Sequence, residues 1–469
     1  MRYVSTRGKA PAVDFEEALL AGLAPDGGLY LPEEWPRFSA SDLDALKGLA
    51  YPELACKLMA PFLGETIAAE SFARLTDDAY AGFDHRAVAP LRQIGAGEWI
   101  LELYHGPTLS FKDVALQPLA RLFDHFLGER DERLTILGAT SGDTGSAAIE
   151  ACRGRTNLEL FILHPKGRIS EVQRRQMTTV QAENIHNVAL EGTFDDCQAL
   201  VKALFADAAF RAEMRLGAVN SINWARIMAQ AVYYFASALA LGAREIVFAV
   251  PSGNFGDVFA GHVARMMGLP ISRLIVATNR NDILARFIAS GTYRRDTVEP
   301  TISPAMDIQV ASNFERLLFE LQDRDGAAVA ALMEGFGVNG ELTLEPERMA
   351  PVRALYGAAR VDDERTLATI AAIERETGGL IDPHTATGVA ALRMAGLDRA
   401  IPRVALATAH PAKFPDAVER ATGRRPALPD RLADLEEREE RVTVLPNDPD
   451  DLKRHMREER RARPKERVA

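Results

Sequence analysis

From about residue 96 onward, short runs rich in aliphatic and β-branched residues alternate with longer amphipathic segments, and this alternation leaves few folds open. Parallel strands cannot be joined by a tight turn; they need a crossover, and a helix supplies it. Six runs read as strands: 134–139, 158–163, 185–190, 245–250, 274–277 and 404–407. Continuous apolar runs of this length suit strands covered on both faces. Several pass directly into a cluster of Gly, Ser, Thr or Asn and then into a helical pattern. In open α/β sheets, ligands bind just outside the carboxyl ends of the strands, so those clusters are where chemistry is expected.

The flanks read differently. Residues 1–95 form an expected separate, mostly helical N-terminal domain: 15–20 begin a helical pattern, Asp26-Gly27-Gly28 is a turn, and Pro32, Trp35 and Pro36 mark a rigid connection. Ser41 is the expected cap of the helix that follows. Residues 96–430 are the expected catalytic core of two α/β subdomains, one centred on 134–195 and the other on 98–130 with 220–415. In 431–469, 22 residues are charged with both signs mixed, which predicts a solvated helix and a frayed tail.

Composition excludes several function classes. Hydrophobic residues at 47% and charged residues at 26% are normal for a soluble globular protein. No apolar run reaches the roughly 20 residues of a membrane helix, and Met1-Arg2-Tyr3-Val4-Ser5-Thr6-Arg7 is no secretory signal. The expectation is a cytoplasmic protein with no membrane partner. Three widely spaced cysteines, Cys56, Cys152 and Cys197, give neither a disulfide framework nor a CxxC site. The nine histidines show no HExxH spacing, so no metal is expected. A net charge of −11 argues against a nucleic-acid partner.

Three segments carry chemistry. The strand-like Val247-Phe248-Ala249-Val250 runs into Pro251-Ser252-Gly253-Asn254-Phe255-Gly256 and then a helical pattern. Small residues let a backbone approach an anion, and a helix N-terminus presents N–H groups to it, so this predicts a phosphate cup. An ordinary βα turn is the plainer alternative. A second such turn is Thr140-Ser141-Gly142-Asp143-Thr144-Gly145, which matches neither GxxxxGK[ST] nor GxGxxG. Its hydroxyls and amides suit a substrate carboxylate, which Asp143 would repel unless it faces elsewhere. The third is Tyr104-His105-Gly106-Pro107-Thr108-Leu109-Ser110-Phe111-Lys112-Asp113, where a lysine follows a Gly-Pro turn and opens an apolar helical segment. A partly desolvated lysine becomes a Schiff-base nucleophile; most lysines are merely solvated. Beside two anion-binding turns, pyridoxal phosphate is the economical explanation.

Together, Ser110-Phe111-Lys112-Asp113, the Ser252–Gly256 turn and the Thr140–Gly145 turn resemble the threonine synthase family, in its longer form with an N-terminal extension. Further pieces extend the resemblance over most of the chain: Tyr3-Val4-Ser5-Thr6-Arg7-Gly8, Asp26-Gly27-Gly28-Leu29-Tyr30, Ser303-Pro304-Ala305-Met306-Asp307-Ile308, Ser312-Asn313-Phe314-Glu315-Arg316 and Thr408-Ala409-His410-Pro411-Ala412-Lys413-Phe414. The resemblance implies an α/β fold with two parallel-sheet domains of the tryptophan synthase β-subunit type. It implies that Lys112 joins pyridoxal 5′-phosphate as a Schiff base and that Ser252, Gly253, Asn254, Phe255 and Gly256 hold the cofactor phosphate. Thr408 would hydrogen-bond the pyridine nitrogen, and Asp143 would lie near the cofactor where related proteins often carry Asn. Thr140, Ser141, Gly142 and Thr144 would bind the substrate carboxylate, and Asn220, Ser221, Arg226 and Arg168 its phosphate.

Local pattern bears on the last group. In Asn220-Ser221-Ile222-Asn223-Trp224-Ala225-Arg226, Ser221 suits a helix N-cap, which would put Asn223 and Arg226 on one face of the first turn. Asn281 and Asp282 are expected nearby. His410 and His384 read as structural, the latter in a turn that starts a helix. The implied reaction converts O-phospho-L-homoserine and water to L-threonine and phosphate, in a monomer or homodimer. The competing readings are a fold-related serine/threonine dehydratase and a non-catalytic anion-binding homologue.

Overall fold

The computed structural model describes residues 1–140, 142–217 and 221–462. They pack into two compact units: Met1–Val114 with Ser221–Ala427, and Ala115–Asn220 with Leu428–Ala469. These units cut across the sequence-based division at 95/96 and 430/431, because the N-terminal residues share a core with the 221–427 region and the C-terminal residues join the other sheet.

The first unit is built on a six-stranded sheet in the order Tyr356–Arg360, Ile271–Thr278, Ile246–Pro251, Arg403–Ala407, Glu98–Glu102, Leu91–Gly95. Every pairing is parallel except the last, an antiparallel edge hairpin. All six residues of Ile246–Pro251 and all five of Arg403–Ala407 are buried, as a sheet covered on both faces requires. Against one face lies the helix Pro383–Met394, opened by Pro383 and capped by Asp382. Its small residues let it sit close: a Cβ on Gly388 would come within 3.0 Å of the Pro251 ring.

The N-terminal residues belong to the same unit. A two-stranded antiparallel sheet, Tyr3–Ser5 with Tyr30–Pro32, accompanies the helices Phe15–Ala21, Ala40–Ala45, Tyr51–Leu63 and Ala69–Tyr80. Ser39 rather than Ser41 caps Ala40–Ala45, because Ser39 and Asp42 exchange hydrogen bonds in a capping box. Trp224, the first residue of the helix Trp224–Leu241, is the centre of this packing, with the rings of Phe62, Trp35 and Tyr3 at 5.5, 5.8 and 6.1 Å.

The second unit has a five-stranded parallel sheet in the order Thr443–Pro446, Ile185–Glu191, Leu158–Pro165, Leu134–Ala139, Leu216–Gly217. The charged C-terminal segment is therefore not a solvated appendage. It supplies an edge strand and the helix Pro449–Ala462, whose Leu452 and Met456 are fully buried beside Cys197, Leu200 and Phe210. A strong charge count on one helix face had masked two apolar residues four apart on the other. Among the described residues, no helix is long and apolar enough to cross a membrane and no cluster of three potential metal ligands occurs.

Candidate active site

Register along the first sheet brings three chain segments to one edge. Arg403, Val404 and Ala405 pair with Val247, Phe248 and Ala249; carried three residues further, this register sets Thr408 level with Ser252. On the other side, Arg403–Ala407 runs alongside Glu98–Glu102, and Leu103 N–H continues the ladder by donating to Ala407 O at 3.0 Å. The chain then turns through Gly106 and returns to pair Ser110 with Ala409; Phe111 N–H donates to Thr408 O at 2.9 Å and His410 N–H to Leu109 O at 3.0 Å. Lys112 is thus fixed by backbone next to Thr408, at the start of the helix Lys112–Glu129.

The loop that delivers Lys112 is held rigidly. Asp113 accepts from Thr108 N–H and from its hydroxyl, both at 2.8 Å, and Lys413 Nζ donates to Thr108 O at 2.7 Å. Leu109 takes a left-handed conformation, φ 62°, uncommon for a branched residue. Lys112 itself is 9% exposed, with Nζ 5.1 Å from the centre of the Phe111 ring. Asp113 and Lys413 were not singled out from sequence; Asp113 acts within the loop, five residues from Thr108, whereas Lys413 reaches Thr108 across a gap of 305 residues that no local pattern reveals.

In the turn 252–256, Phe255 is also left-handed, φ 62°, while its ring is buried against Phe314 and Tyr356. A left-handed residue leading into a right-handed helix makes successive N–H groups converge. The helix Gly256–Met266 starts there with no side-chain cap. Asn254 is pinned from outside: Ser312 Oγ donates to its Oδ1 at 3.1 Å, and Asn313 N–H donates to its carbonyl at 3.0 Å. Asn313 Nδ2 also donates to Ser221 O at 3.0 Å, and the Ser221 and Ser312 hydroxyls are 3.0 Å apart. Ser221 and Asn254 therefore belong to one network. Ser221 is not the helix cap; Asn223 is, accepting from Ala225 N–H at 3.1 Å, because Trp224 already takes helical geometry.

Arg226, in the first turn of Trp224–Leu241, is 5% exposed. It forms no ion pair among the described residues, and its buried Nε has no partner. Burial pushes its guanidinium down to about 10, opposed by Tyr233. A buried, unpaired cation is costly, and an anionic ligand relieves that cost. Arg316 is buried too, but its donors go to Tyr30 O, Ile222 O and Asn313 Oδ1, so it ties the N-terminal residues to the Ser221 network.

Asn281 and Asp282 serve the scaffold. Asn281 donates to Glu299 O at 2.8 Å and Asp307 Oδ1 at 3.0 Å, and Asp282 pairs with Arg286 at 2.8 Å. His410 accepts from Ala412 N–H at 3.2 Å at the start of a short 3-10 turn.

The other expected residues lie in the second unit. Thr140 Oγ1 accepts from Gly142 N–H at 3.0 Å and Gly145 N–H at 2.9 Å, so this hydroxyl shapes its own loop. Gly142, φ 151°, leaves room for Gln173, which a Cβ would meet at 2.5 Å. Asp143 is 9% exposed and accepts from Gln173 Nε2 at 2.8 Å, and Thr144 is half-buried in the first turn of Asp143–Cys152. Arg168 is exposed after Leu158–Pro165, and its charge reaches Asp196. Ser141 and Asn220 lie outside the described residues.

Residues 85–335, more than half of the chain, match the family model "Pyridoxal-phosphate dependent enzyme". That sets the class: an enzyme that uses pyridoxal 5′-phosphate. Residues 2–80 match "Threonine synthase N terminus" and 385–456 match "Threonine synthase, C-terminal". The threonine synthase of Pseudomonas aeruginosa is 59% identical over 96% of both chains. The crystal structure of pyridoxal-phosphate-bound threonine synthase from Brucella melitensis superposes with a TM-score of 0.97 at 53% identity, covering 98% of this chain and 99% of that one. The yeast threonine synthase structure gives 0.95 at 40% identity, with the same coverage. The chain belongs to the threonine synthase family.

The first unit offers a fit for the cofactor in its uncommitted polar atoms. The buried hydroxyls of Ser110 and Ser252 have no partner, and Thr408 makes no side-chain hydrogen bond among the described residues. Buried polar groups are ordinarily satisfied. Two unsatisfied hydroxyls, with Thr408, a lysine and an uncapped helix start in the same unit, suit a phosphorylated aldehyde with a ring nitrogen.

Proposed function

We propose that this chain is a threonine synthase that converts O-phospho-L-homoserine and water to L-threonine and phosphate. The observation that supports it most is the backbone pairing of Ser110 with Ala409, which sets Lys112 beside Thr408 one strand from the turn 252–256. In this reading Lys112 holds the cofactor aldehyde, the amides of 253–256 with the Ser252 hydroxyl hold its phosphate, and Thr408 meets the pyridine nitrogen. When bound, pyridoxal phosphate supplies an electron sink that makes the substrate Cα and Cβ protons acidic.

The chain's own groups do the rest. Lys112, freed when the substrate amine takes its place, would pass the Cα proton on to the cofactor before taking a Cβ proton, working from one face of the substrate. Loss of the Cβ proton expels the γ-phosphate. Water then adds at Cβ, and returned protons complete threonine. A neutral Thr408 accepts or donates at the ring nitrogen without enforcing its protonation, unlike a carboxylate. Arg226, with Ser221 and Asn220, grips the departing phosphate; Arg168 is proposed as a second phosphate cation. Gly142, Ser141 and Thr144 are proposed for the substrate carboxylate, in a loop shaped by Thr140, with Asp143 held by Gln173. A site built for a phosphate ester leaves its donors unpaired with serine or threonine, which disfavours the dehydratase reaction.

The test is borohydride reduction of the cofactor-loaded protein followed by peptide mapping, with phosphate and ammonia release measured in parallel. Labelled Lys112 and phosphate from phosphohomoserine are expected. A label on another lysine, or ammonia from threonine at a comparable rate, contradicts the reading.

A further inference from the structure

One buried pair outside the expected ligands is built against the phosphate turn. Asp382 is fully buried and caps Pro383–Met394: Oδ1 accepts from Thr385 N–H at 3.0 Å, and Oδ2 from His384 N–H at 2.9 Å. Asp382 Oδ2 also faces His384 Nδ1 at 2.7 Å, and His384, 3% exposed, places Nε2 3.2 Å from the Ala305 backbone nitrogen. A backbone N–H can only donate, so Nε2 is the acceptor and the imidazole proton sits on Nδ1, donated to Asp382. The tautomer and the ring plane are fixed from both sides.

Ala305 lies in the short turn Pro304–Met306, and its carbonyl fills the space beside Gly253. A Cβ on Gly253 would come within 2.6 Å of Ala305 O and 3.5 Å of Met306 Cα. The far side of this segment is clamped by Asn279, which donates to Ser303 Oγ at 3.0 Å and Asp307 Oδ1 at 2.7 Å. Helix capping alone would explain Asp382. It does not explain an imidazole aimed at a segment that rests on Gly253.

We propose that His384, oriented by Asp382, is a positioning residue that seats segment 303–306 on Gly253 and so sets the turn 252–256 for the cofactor phosphate. This rests on reading that turn as the phosphate cup. His384→Asn keeps a donor for Asp382 but ends short of Ala305, whereas His384→Gln carries an amide oxygen near the Nε2 position. A buried N–H left without an acceptor forfeits enough to weaken binding ~10-fold.

The experiment strips the cofactor from the full chain and titrates wild type, His384→Asn and His384→Gln with pyridoxal 5′-phosphate and, separately, with phosphate-free pyridoxal, following absorbance. The expected result is ~10-fold weaker binding of pyridoxal phosphate by His384→Asn, near-wild-type binding by His384→Gln, and little change for pyridoxal in either. Unchanged pyridoxal-phosphate affinity in His384→Asn, or equal losses for both ligands, overturns the proposal. If His384→Asn does not fold, Asp382→Asn decides: a phosphate-specific loss supports the relay and unchanged affinity overturns it. Wild-type protein that fails to prefer pyridoxal phosphate over pyridoxal would refute the cup itself, a separate result.

Discussion

Two buried charges near the start of neighbouring helices behave in opposite ways. Arg226 is a cation without an anion among the described residues, whereas Asp257 has partners that are themselves neutral. Tyr233 donates to Asp257 Oδ1 in a short contact, and Tyr234 donates to the same atom at 3.1 Å, while Oδ2 has no partner. Burial pushes the Asp257 carboxyl up to about 7, against the pull of the two tyrosines. An unfolded aspartate titrates near 3.9, so the folded chain binds this proton more tightly. The associated stability is fully present below about pH 4 and is lost as pH rises through about 7. Urea denaturation of wild type and Asp257→Asn at several pH values should show the wild type losing on the order of 4 kcal/mol relative to the variant between about pH 4 and pH 8. A difference that does not vary with pH contradicts this. For Arg226, substitution by Ala removes an anion ligand but no group of the proposed cofactor set. The Michaelis constant for phosphohomoserine is expected to rise by ~10-fold or more, as the loss of a charge-assisted hydrogen bond implies, with the cofactor absorbance retained. A bleached spectrum would place Arg226 on the cofactor instead.

At the scale of elements, the apolar strands were the legible part: Leu134–Ala139 appears with the bounds read from sequence, since a doubly covered strand has little room for polar residues. Edges and caps were less legible. Thr443–Pro446 and Pro449–Ala462 sit in a charged stretch, and only their partners in Ile185–Glu191 and the core around Cys197 make sense of Leu452 and Met456. Ser221 and Ser41 are good capping residues displaced by neighbours that cap better placed first turns, Asn223 and Ser39. The turns that follow strands were legible as turns because glycine and hydroxyl residues came directly after apolar runs. Their supports, Asn313, Lys413 and His384, act across long sequence separations and left no local signal. The C-terminal helix yields its own prediction. Met456→Ala should destabilise the protein by ~2–5 kcal/mol, the range for deleting a large buried side chain. Truncation after Asn447 should remove Leu452 and Met456 from the second core and expose Leu200 and Phe210, detectable as increased binding of a hydrophobic dye. A truncated chain that melts like the full one and binds no more dye would mean that this helix contributes nothing to the core.

Across the whole molecule, the N-terminal residues have a structural reason to be where they are. Trp224 opens the helix that bears Arg226, and it is enclosed by Tyr3, Trp35 and Phe62, while Arg316 joins Tyr30 O to Ile222 O. The extension thus buttresses the segment proposed to grip substrate phosphate, and it does so within one unit. Lys112, Ser252, Gly253, Asn254, Phe255, Gly256 and Thr408 also fall in that unit. A ligand that binds only the native state stabilises what it binds by RT ln(1 + [L]/Kd), about 2.7 kcal/mol at a hundredfold excess over Kd. Loading the cofactor-free chain with pyridoxal phosphate should therefore slow amide exchange most in Ile246–Pro251, Arg403–Ala407 and the helix Gly256–Met266. Protection should spread from there into Trp224–Leu241, because Asn313 connects the turn 252–256 to Ser221. Exchange that slows only in Leu134–Ala139 and Leu158–Pro165 would put the cofactor on the wrong sheet, and with it every role assigned to Lys112 and Thr408.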